Sequence, residues 1–344
     1  LFVLRSGTEV VLLSLYVDDL TISSRSKPLV EWVLVQTKNR FPVRDVKSLS
    51  WTVGLRVKSS QESLLVSQGA YVKSTFDRFI CNDDEQKERR FTPMGVDIVL
   101  HNEESNFLSR PAGVKEYQKI IGSLNYVAHS SRPDVAFSVN ALSRYLQKPR
   151  ILHLAAAKRI LIYLHTTCDL GICYFPSKEN NLFAYCDASL VSKDSADGKS
   201  TTGYCIFFNN NLVAWKSCRQ TVVSLSTMES ELNAMSTALI ALQQTRDTLS
   251  EIGYIVPSYK IYTDSLSAIK YLQSSADIAR PRTPHLSLRF HFIRTEVSSG
   301  QLQLLHVKSG DQIADILTKA LPRPLFESIR DKYLQKPERD LQSG

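Results

Sequence analysis

The stretch "TMESELNAMSTALIALQQTRDTL", residues 227 to 249, has the pattern of a long amphipathic helix, because apolar residues recur every three or four positions. Ser226 and Glu229 match the S-x-x-E capping box, in which each residue satisfies a backbone N–H group of the other at the start of a helix. Glu231 shares a helix stripe with three small residues, Ala234, Ala238 and Ala241. Small residues let a helix approach a sheet closely, so we expect Glu231, rather than Glu229, to lie against one.

Strand patterns lie on both sides of this helix. Runs rich in aliphatic, β-branched and aromatic residues predict five strands: "LFAYCDAS", "TTGYCIFF", "LVAWKS", "YKIYTD" and "LQLLHV". Shorter helical patterns lie near residues 266–272 and 285–297. "DQIADILTKAL", residues 311 to 321, predicts a last helix that begins with a second capping box, formed by Ser309 and Gln312. These elements predict a mixed sheet with packed helices.

Four acidic residues stand where strands end or helices begin. Asp187 and Asp264 end strands, Glu231 lies in the first turns of the long helix, and Asp315 lies in the predicted last helix. Hard divalent cations are bound by several carboxylates that converge from different elements. Clusters of this kind serve two-metal cleavage of phosphodiesters, so we hypothesise that these residues are catalytic and bind metal.

The N-terminal part carries a different acidic motif. In "SLYVDDLTIS", residues 14 to 23, two apolar runs predict a hairpin with Asp18 and Asp19 at its tip. The patterns that follow predict a helix, two strands and another helix: "LVEWVLVQTKNRF", "LSWTVGLRV", "SLLVS" and "GAYVKSTFDRFI". The N-terminal part therefore reads as an incomplete α+β unit.

Residues 116 to 166 have helical periodicity throughout and predict three consecutive helices. Their polar faces include basic residues that could follow a phosphate backbone: Arg144, Lys148, Arg150, Lys158 and Arg159. A solvated surface is the alternative reading of such a face.

Composition limits the possible classes. The chain has 344 residues, and its hydrophobic content of 43% excludes a disordered chain. Its formal net charge of +8 suits a polyanionic partner. The six cysteines form no CxxC pair, which favours reduced thiols over a zinc site or a disulfide framework. No run of residues is long and apolar enough for a membrane span. The first residue is not Met, and we expect the chain to be a piece of a longer protein.

Several of these motifs together resemble one family. "YCDAS", "KSTTGY", "WKSCRQTVVSLSTMESELNAM", "YTDSLSAI", "RFHFIR" and "DQIADILTK" are similar to the ribonuclease H domain of copia-type LTR retrotransposon Pol polyproteins. "LYVDDL", "LSQGAYVKSTFDRF", "IIGSLNYVAHSSRPDVAFSVNALSRYL" and "HLAAAKRILIYLH" resemble the end of the reverse transcriptase palm and the connecting region of that family. The resemblance implies an RNA-directed DNA polymerase fused to an RNA–DNA hybrid endonuclease that uses two Mg²⁺ ions, with Mn²⁺ as the alternative. It places the family's hydrolytic carboxylates on Asp187, Glu231, Asp264 and Asp315, and its paired polymerase aspartates, also metal ligands, on Asp18 and Asp19.

The resemblance also implies an organisation and a setting. The expected fold class is α+β / α/β, with a truncated reverse transcriptase palm at 1–95, a helical thumb or connection at 96–178, a ribonuclease H-like domain at 179–322 and a tail at 323–344. The expected partners are an RNA–DNA hybrid, a template-primer and the missing N-terminal portion of the reverse transcriptase, with no membrane. The expected location is the cytoplasm, within a virus-like particle, with the nucleus as the alternative.

Two departures from the family pattern limit these expectations. The polymerase needs a third carboxylate upstream of Asp18, where the sequence offers only Glu9, so we expect no reverse transcription by this chain alone. Pro284 and Ser287 stand where the family has a lysine and an aspartate. The alternative hypothesis is therefore a catalytically inactive, nucleic-acid-binding relic of a retrotransposon.

Overall fold

The computed structural model describes residues 1–43, 48–101, 106–108, 110–189, 198–274 and 284–336, without the side chains of residues 284–287. The helices in these ranges are α1 (Lys27–Arg40), α2 (Gly69–Phe79), α3 (Asp83–Lys87), α4 (Pro111–Ser130), α5 (Ala136–Ser143), α6 (Ile151–Thr166), α7 (Thr227–Glu251), α8 (Leu266–Gln273), α9 (Pro284–Ser298) and α10 (Arg323–Tyr333). The strands are β1 (Phe2–Ser6), β2 (Glu9–Tyr16), β3 (Asp19–Ser24), β4 (Trp51–Thr52), β5 (Leu55–Ser59), β6 (Leu64–Ser67), β7 (Gly171–Tyr174), β8 (Leu182–Ser189), β9 (Thr201–Phe208), β10 (Asn211–Arg219), β11 (Tyr259–Thr263), β12 (Leu302–His306) and β13 (Leu334–Gln335). The expected mixture of helices and sheets is confirmed.

The predicted mixed sheet has the strand order β10-β9-β8-β11-β12. Strands β8, β9 and β10 are antiparallel, whereas β11 runs parallel to both β8 and β12. Asn209 and Asn210, both with positive φ, close the β9–β10 hairpin, and asparagine tolerates this backbone conformation better than most residues. One face of the sheet packs on α7, α8 and α9 through a buried core that includes Leu182, Ile206 and Leu239.

The opposite face of the sheet packs on the helical middle of the chain. Cys205 and Phe207 of β9 share one buried core with residues of α4 and α6, among them Leu124 and Ile160. The indole nitrogen of Trp215 on β10 donates a hydrogen bond of 2.8 Å to the carbonyl oxygen of Ala128 on α4. The two regions therefore share a continuous hydrophobic core.

A second five-stranded sheet, β13-β7-β6-β5-β4, joins distant parts of the chain. Its strands come from residues 51–67, from the segment after α6 and from the end of the chain. The segment after residue 322 adds α10 and then β13, which pairs with β7 through Leu334 and Ile172. Residues 323–335 are therefore part of the packed structure.

The N-terminal hairpin is present, with Val17 and Asp18 in its turn, and β1 adds a third strand beside it. The Arg5 guanidinium donates a hydrogen bond of 2.7 Å to the carbonyl oxygen of Glu251, which links this small sheet to the end of α7. The three predicted helices of the middle region are also present as α4, α5 and α6, with a 3-10 turn, Pro133–Val135, before α5.

The predicted last helix is wrong. The segment forms two 3-10 turns, Ser309–Asp311 and Ile313–Leu317. The Gln312 side chain accepts a hydrogen bond from the Ala314 N–H at 3.2 Å, and the Ser309 hydroxyl binds Asp264 instead of capping a helix. The capping pattern therefore marks a turn. The Ser309 and Gln312 side chains hold this turn by other hydrogen bonds, and it does not continue into an α-helix.

All six cysteines are free thiols, as expected. Within the described ranges, no helix combines the length and the hydropathy that crossing a bilayer requires.

Candidate metal centre

Asp187, Glu231 and Asp264 converge, and one carboxylate oxygen from each lies within 4.8 Å of the others. The strand register explains part of this convergence. Tyr262 pairs with Tyr185 across the parallel strands β11 and β8, so two residues further on Asp264 lies level with Asp187. Asp187 and Glu231 are buried, with 3% and 8% of their surfaces exposed.

The start of α7 separates Glu231 from Glu229. The Ser226 hydroxyl accepts a hydrogen bond from the Glu229 N–H at 3.2 Å, and the Glu229 carboxylate accepts one from the Leu225 N–H at 2.7 Å. Glu229 therefore caps the N-terminus of α7. Its carboxylate binds the N–H group of Leu225, whereas the capping box predicts the N–H group of Ser226. Glu231 points toward β8, where its carboxylate accepts a hydrogen bond from the backbone of Ala188.

Glu231 is the strongest sign of a cation site. Its Oε2 atom is buried and has no hydrogen-bond partner among the described residues. Burial, followed by repulsion from Asp187 and Asp264, raises the pKa of Glu231 to about 9. A hard divalent cation would satisfy this oxygen and relieve the repulsion, so the residues present fit such an ion.

Asp315 reaches the same site through the second 3-10 turn. The Gln312 side chain donates a hydrogen bond of 3.0 Å to the carbonyl oxygen of Cys186, which ties the turn to β8. Gly203 on β9 pairs with Asp187 on β8. A Cβ atom on Gly203 would lie only 2.6 Å from the Thr318 side chain. A glycine is needed here because the turn that carries Asp315 packs directly on the strand.

Lys319 lies between two of the acids and was missed by sequence reasoning. Its Nζ atom is 2.9 Å from Asp315 Oδ1 and 3.8 Å from Asp187 Oδ2. Burial lowers the pKa of Lys319, but Asp187 and Asp315 outweigh this effect and raise it overall. The spacing of four residues from Asp315 is a signal that could have revealed the pair.

Two hydroxyl groups support the acids and were also missed. The Thr318 hydroxyl donates a hydrogen bond to Asp187 Oδ2, and the Ser309 hydroxyl donates one of 3.0 Å to Asp264 Oδ2. Asp315 itself is buried, and burial followed by repulsion from Asp187 raises its pKa to about 7. The arrangement thus concentrates four carboxylates and one ammonium group, which suits the binding of divalent cations and of a phosphate beside them.

Asp18 and Asp19 do not join this site. Both lie exposed at the tip of the N-terminal hairpin. Where the structure describes the chain, the group of three acids close enough to share an ion consists of Asp187, Glu231 and Asp264. The structure therefore brings no third carboxylate to the hairpin pair in the part of the chain that it describes.

The basic candidates of the helical region have different surroundings. Lys158 forms an ion pair of 3.1 Å with Glu85, and Arg159 donates a hydrogen bond of 3.0 Å to the Thr92 hydroxyl. Lys148 is exposed. Arg144 reaches the acid-bearing sheet, where its Nη2 atom donates a hydrogen bond of 3.1 Å to the Thr201 hydroxyl.

No family model matches the chain. Among curated proteins, it is 33% identical over 333 residues to the retrovirus-related Pol polyprotein from transposon RE2 of Arabidopsis thaliana, which covers 96% of this chain and 22% of that protein. It is 30% identical over 336 residues to the corresponding polyprotein from transposon TNT 1-94 of Nicotiana tabacum, covering 95% of this chain and 24% of that protein. The chain thus spans about a quarter or less of the length of these relatives.

Among solved structures, a foamy viral protease-reverse transcriptase in complex with an RNA/DNA hybrid aligns with 86% of this chain and 36% of its own, at 14% identity and a TM-score of 0.47. LC11-RNase H1, isolated from compost, aligns with 41% of this chain and 94% of its own, at 19% identity and a TM-score of 0.32.

Proposed function

Because the chain belongs to the Pol polyproteins of copia-type retrotransposons, we propose that it carries a ribonuclease H domain that hydrolyses the RNA strand of RNA–DNA hybrids. The observation that supports this function best is the convergence of Asp187, Glu231 and Asp264 within 4.8 Å, with a buried Glu231 oxygen that lacks a hydrogen-bond partner among the described residues.

The residues that would hold the metal are Asp187, Glu231 and Asp264, with Asp315 beside Asp187. We propose Mg²⁺ as the ion, with Mn²⁺ as the alternative, since all the ligands are carboxylate oxygens. When bound, a pair of such ions supplies positive charge to the attacking and the leaving oxygen of a phosphodiester.

The side chains of the protein prepare the site for this chemistry. Thr318 and Ser309 orient the carboxylates of Asp187 and Asp264 through their hydroxyl groups. The Lys319 ammonium offsets part of the negative charge of Asp187 and Asp315, which lowers the repulsion that an approaching phosphate meets. Burial of Glu231 and Asp315 strengthens their interaction with any cation, because the surroundings screen charge less than water does.

We also propose that the chain divides into a partial palm, a helical connection and the nuclease domain. We do not propose polymerase activity, because Asp18 and Asp19 lie exposed without a third acid beside them in the described ranges.

A labelled RNA–DNA hybrid incubated with the chain and Mg²⁺ tests the proposal. We expect cleavage of the RNA strand, and we expect Asp264→Asn to reduce the rate by about 100-fold or more, since it removes a metal ligand. Asp247→Asn is the matched control, because Asp247 is exposed on α7 and pairs with Arg246. Undiminished cleavage by Asp264→Asn would refute the assignment, whereas hybrid binding without any hydrolysis would favour the inactive relic.

A further inference from the structure

The face of the sheet that carries Asp187 continues into a second row of side chains. Asp187 pairs with Gly203 across β8 and β9, and two residues further along Ser189 pairs with Thr201. Thr201 in turn pairs with Arg219 on β10. Because side chains alternate along a strand, residues two positions apart share a face, so Thr201 and Arg219 lie on the same face as Asp187.

Arg144 brings a second guanidinium group to this row from the helical region. Its Nη2 atom donates hydrogen bonds to the Thr201 hydroxyl at 3.1 Å and to the Asn140 side-chain oxygen at 3.2 Å. Both acceptors are neutral, so these bonds orient the guanidinium without cancelling its charge. The Arg144 side chain keeps enough exposure for a ligand to reach it.

Arg144 and Arg219 interact as like charges. Partial burial of the Arg144 guanidinium, followed by repulsion from Arg219, lowers the pKa of Arg144. An anion bound between two such groups relieves the repulsion. Guanidinium groups suit a phosphate in particular, because their planar N–H groups match its oxygens in pairs.

The pair lies near the candidate metal centre on the same face of the sheet. Thr201 is the diagonal neighbour of Asp187 across β8 and β9, and such neighbours lie about 7 to 8 Å apart. A nucleotide adds about 3.4 Å of rise per strand in a duplex, so a few nucleotides span this distance.

We propose that Arg144 and Arg219 together bind a backbone phosphate of the RNA–DNA hybrid, next to the phosphodiester that lies at the acidic cluster. This inference rests on the proposed function and adds to it a substrate contact shared by helix α5 and strand β10. The helical region thereby helps to place the hybrid on the nuclease sheet.

Binding of a short fluorescein-labelled RNA–DNA hybrid to the full chain, followed by fluorescence anisotropy, tests this contact. Ca²⁺ replaces Mg²⁺ in the assay, because the same oxygen ligands bind it, and a gel verifies that the hybrid stays intact. The variants are Arg144→Met, Arg219→Met and Arg144→Lys, and the matched control is Arg56→Met, an exposed arginine on β5 of the other sheet.

We expect each methionine variant at the pair to raise the Kd about 5- to 10-fold and to lower the slope of log Kd against log salt by about one, as the loss of one phosphate contact does. Arg144→Lys keeps the charge and should lose less affinity, with an unchanged salt slope. A purely structural role would change the melting temperature and leave the salt slope of every folded variant as it is.

A Kd and a salt slope equal to those of Arg56→Met would overturn the inference, even if the unaltered chain cleaves the hybrid. An unaltered chain that binds no hybrid would overturn it as well. Loss of affinity in the Arg144 and Arg219 variants supports the contact whether or not the chain cleaves, so the outcome is independent of the test of hydrolysis.

Discussion

The Lys319 ammonium group lies between two acids, 2.9 Å from the Asp315 carboxylate and 3.8 Å from the Asp187 carboxylate. A protein cation therefore occupies part of the space in which Asp315 and Asp187 could share a metal ion. This position gives Lys319 two opposing effects, one on the stability of the metal-free chain and one on the affinity for metal.

Replacement of Lys319 by methionine should separate these effects. In EDTA, we expect the variant to melt at a lower temperature than the unaltered chain, because Asp315 and Asp187 lose a favourable partner. In excess Mn²⁺, we expect a larger gain in melting temperature for the variant, because the site is more negative by one charge. Differential scanning fluorimetry measures both values, and an equal metal-induced gain in the two proteins would contradict this role.

Glu231 should make the stability of the metal-free chain depend on pH. Between its ordinary pKa of 4.5 and its raised value of about 9, the folded chain holds a proton that the unfolded chain has released. The free energy of unfolding should therefore fall as the pH rises through this window. Glu231→Gln should remove much of this slope and stabilise the metal-free chain at pH 7 by about 1 to 3 kcal/mol, because a glutamine is neutral without the proton uptake that folding imposes on Glu231.

Urea unfolding in EDTA at pH 5 and pH 8 measures this dependence. Glu229→Gln is the matched control on the same helix, because its amide oxygen can still accept the hydrogen bond from the Leu225 N–H. A pH slope that is the same in Glu231→Gln as in the unaltered chain would contradict the burial of this carboxyl group.

Gly203 should tolerate no side chain. A Cβ atom at this position would lie 2.6 Å from Thr318 and 2.7 Å from Leu317, so Gly203→Ala must push the turn that carries Asp315 away from β9. We expect the free energy of unfolding to fall by about 1 to 3 kcal/mol. Gly122→Ala on α4 is the control, because nothing lies within 4 Å of its Cβ position and alanine should raise stability by about 0.5 to 1 kcal/mol. Denaturant unfolding measures the free energy of unfolding of both variants. Equal values for Gly203→Ala and the unaltered chain would refute the close packing.

Much of the sheet β10-β9-β8-β11-β12 could be predicted from the sequence, because its strands and α7 carry strong local patterns. The capping pattern alone also distinguishes Glu229 from Glu231. The predicted last helix is wrong because the Gln312 side chain binds Cys186 and the Ser309 hydroxyl binds Asp264. A local sequence pattern does not reveal such contacts between distant residues. Strand β13 was missed for the same reason, since its pairing with β7 joins segments far apart in the chain.

The close packing at Gly203 could have been predicted in part from the sequence. A glycine inside the strand pattern "TTGYCIFF" indicates close approach by another segment, although not which segment approaches. Lys319 could have been paired with Asp315 from their spacing. Its second contact, with Asp187, depends on how the turn packs on β8, and no local pattern contains that information.

The helical region depends on a buried ion pair. Arg132 and Asp134 lie 2.7 Å apart, with side chains only 2% and 0% exposed, and the Tyr163 hydroxyl also donates to Asp134. Asp134→Ala leaves the Arg132 charge buried without its carboxylate, so we expect a loss of about 3 to 5 kcal/mol in the free energy of unfolding. The double variant Arg132→Met and Asp134→Leu should lose less, because no charge stays buried. Urea denaturation compares the two, and a double variant that is less stable than Asp134→Ala would contradict this explanation.

Counting bound Mn²⁺ by electron paramagnetic resonance tests most directly whether the acidic cluster binds divalent cations. We expect the unaltered chain to bind two Mn²⁺ ions, as paired-metal nuclease sites do. Asp187→Asn should weaken this binding by about 100-fold or more, beyond the 10- to 100-fold effect typical of losing a supporting residue. If the unaltered chain leaves all Mn²⁺ free, or if Asp187→Asn binds it equally well, the cluster is not a metal centre.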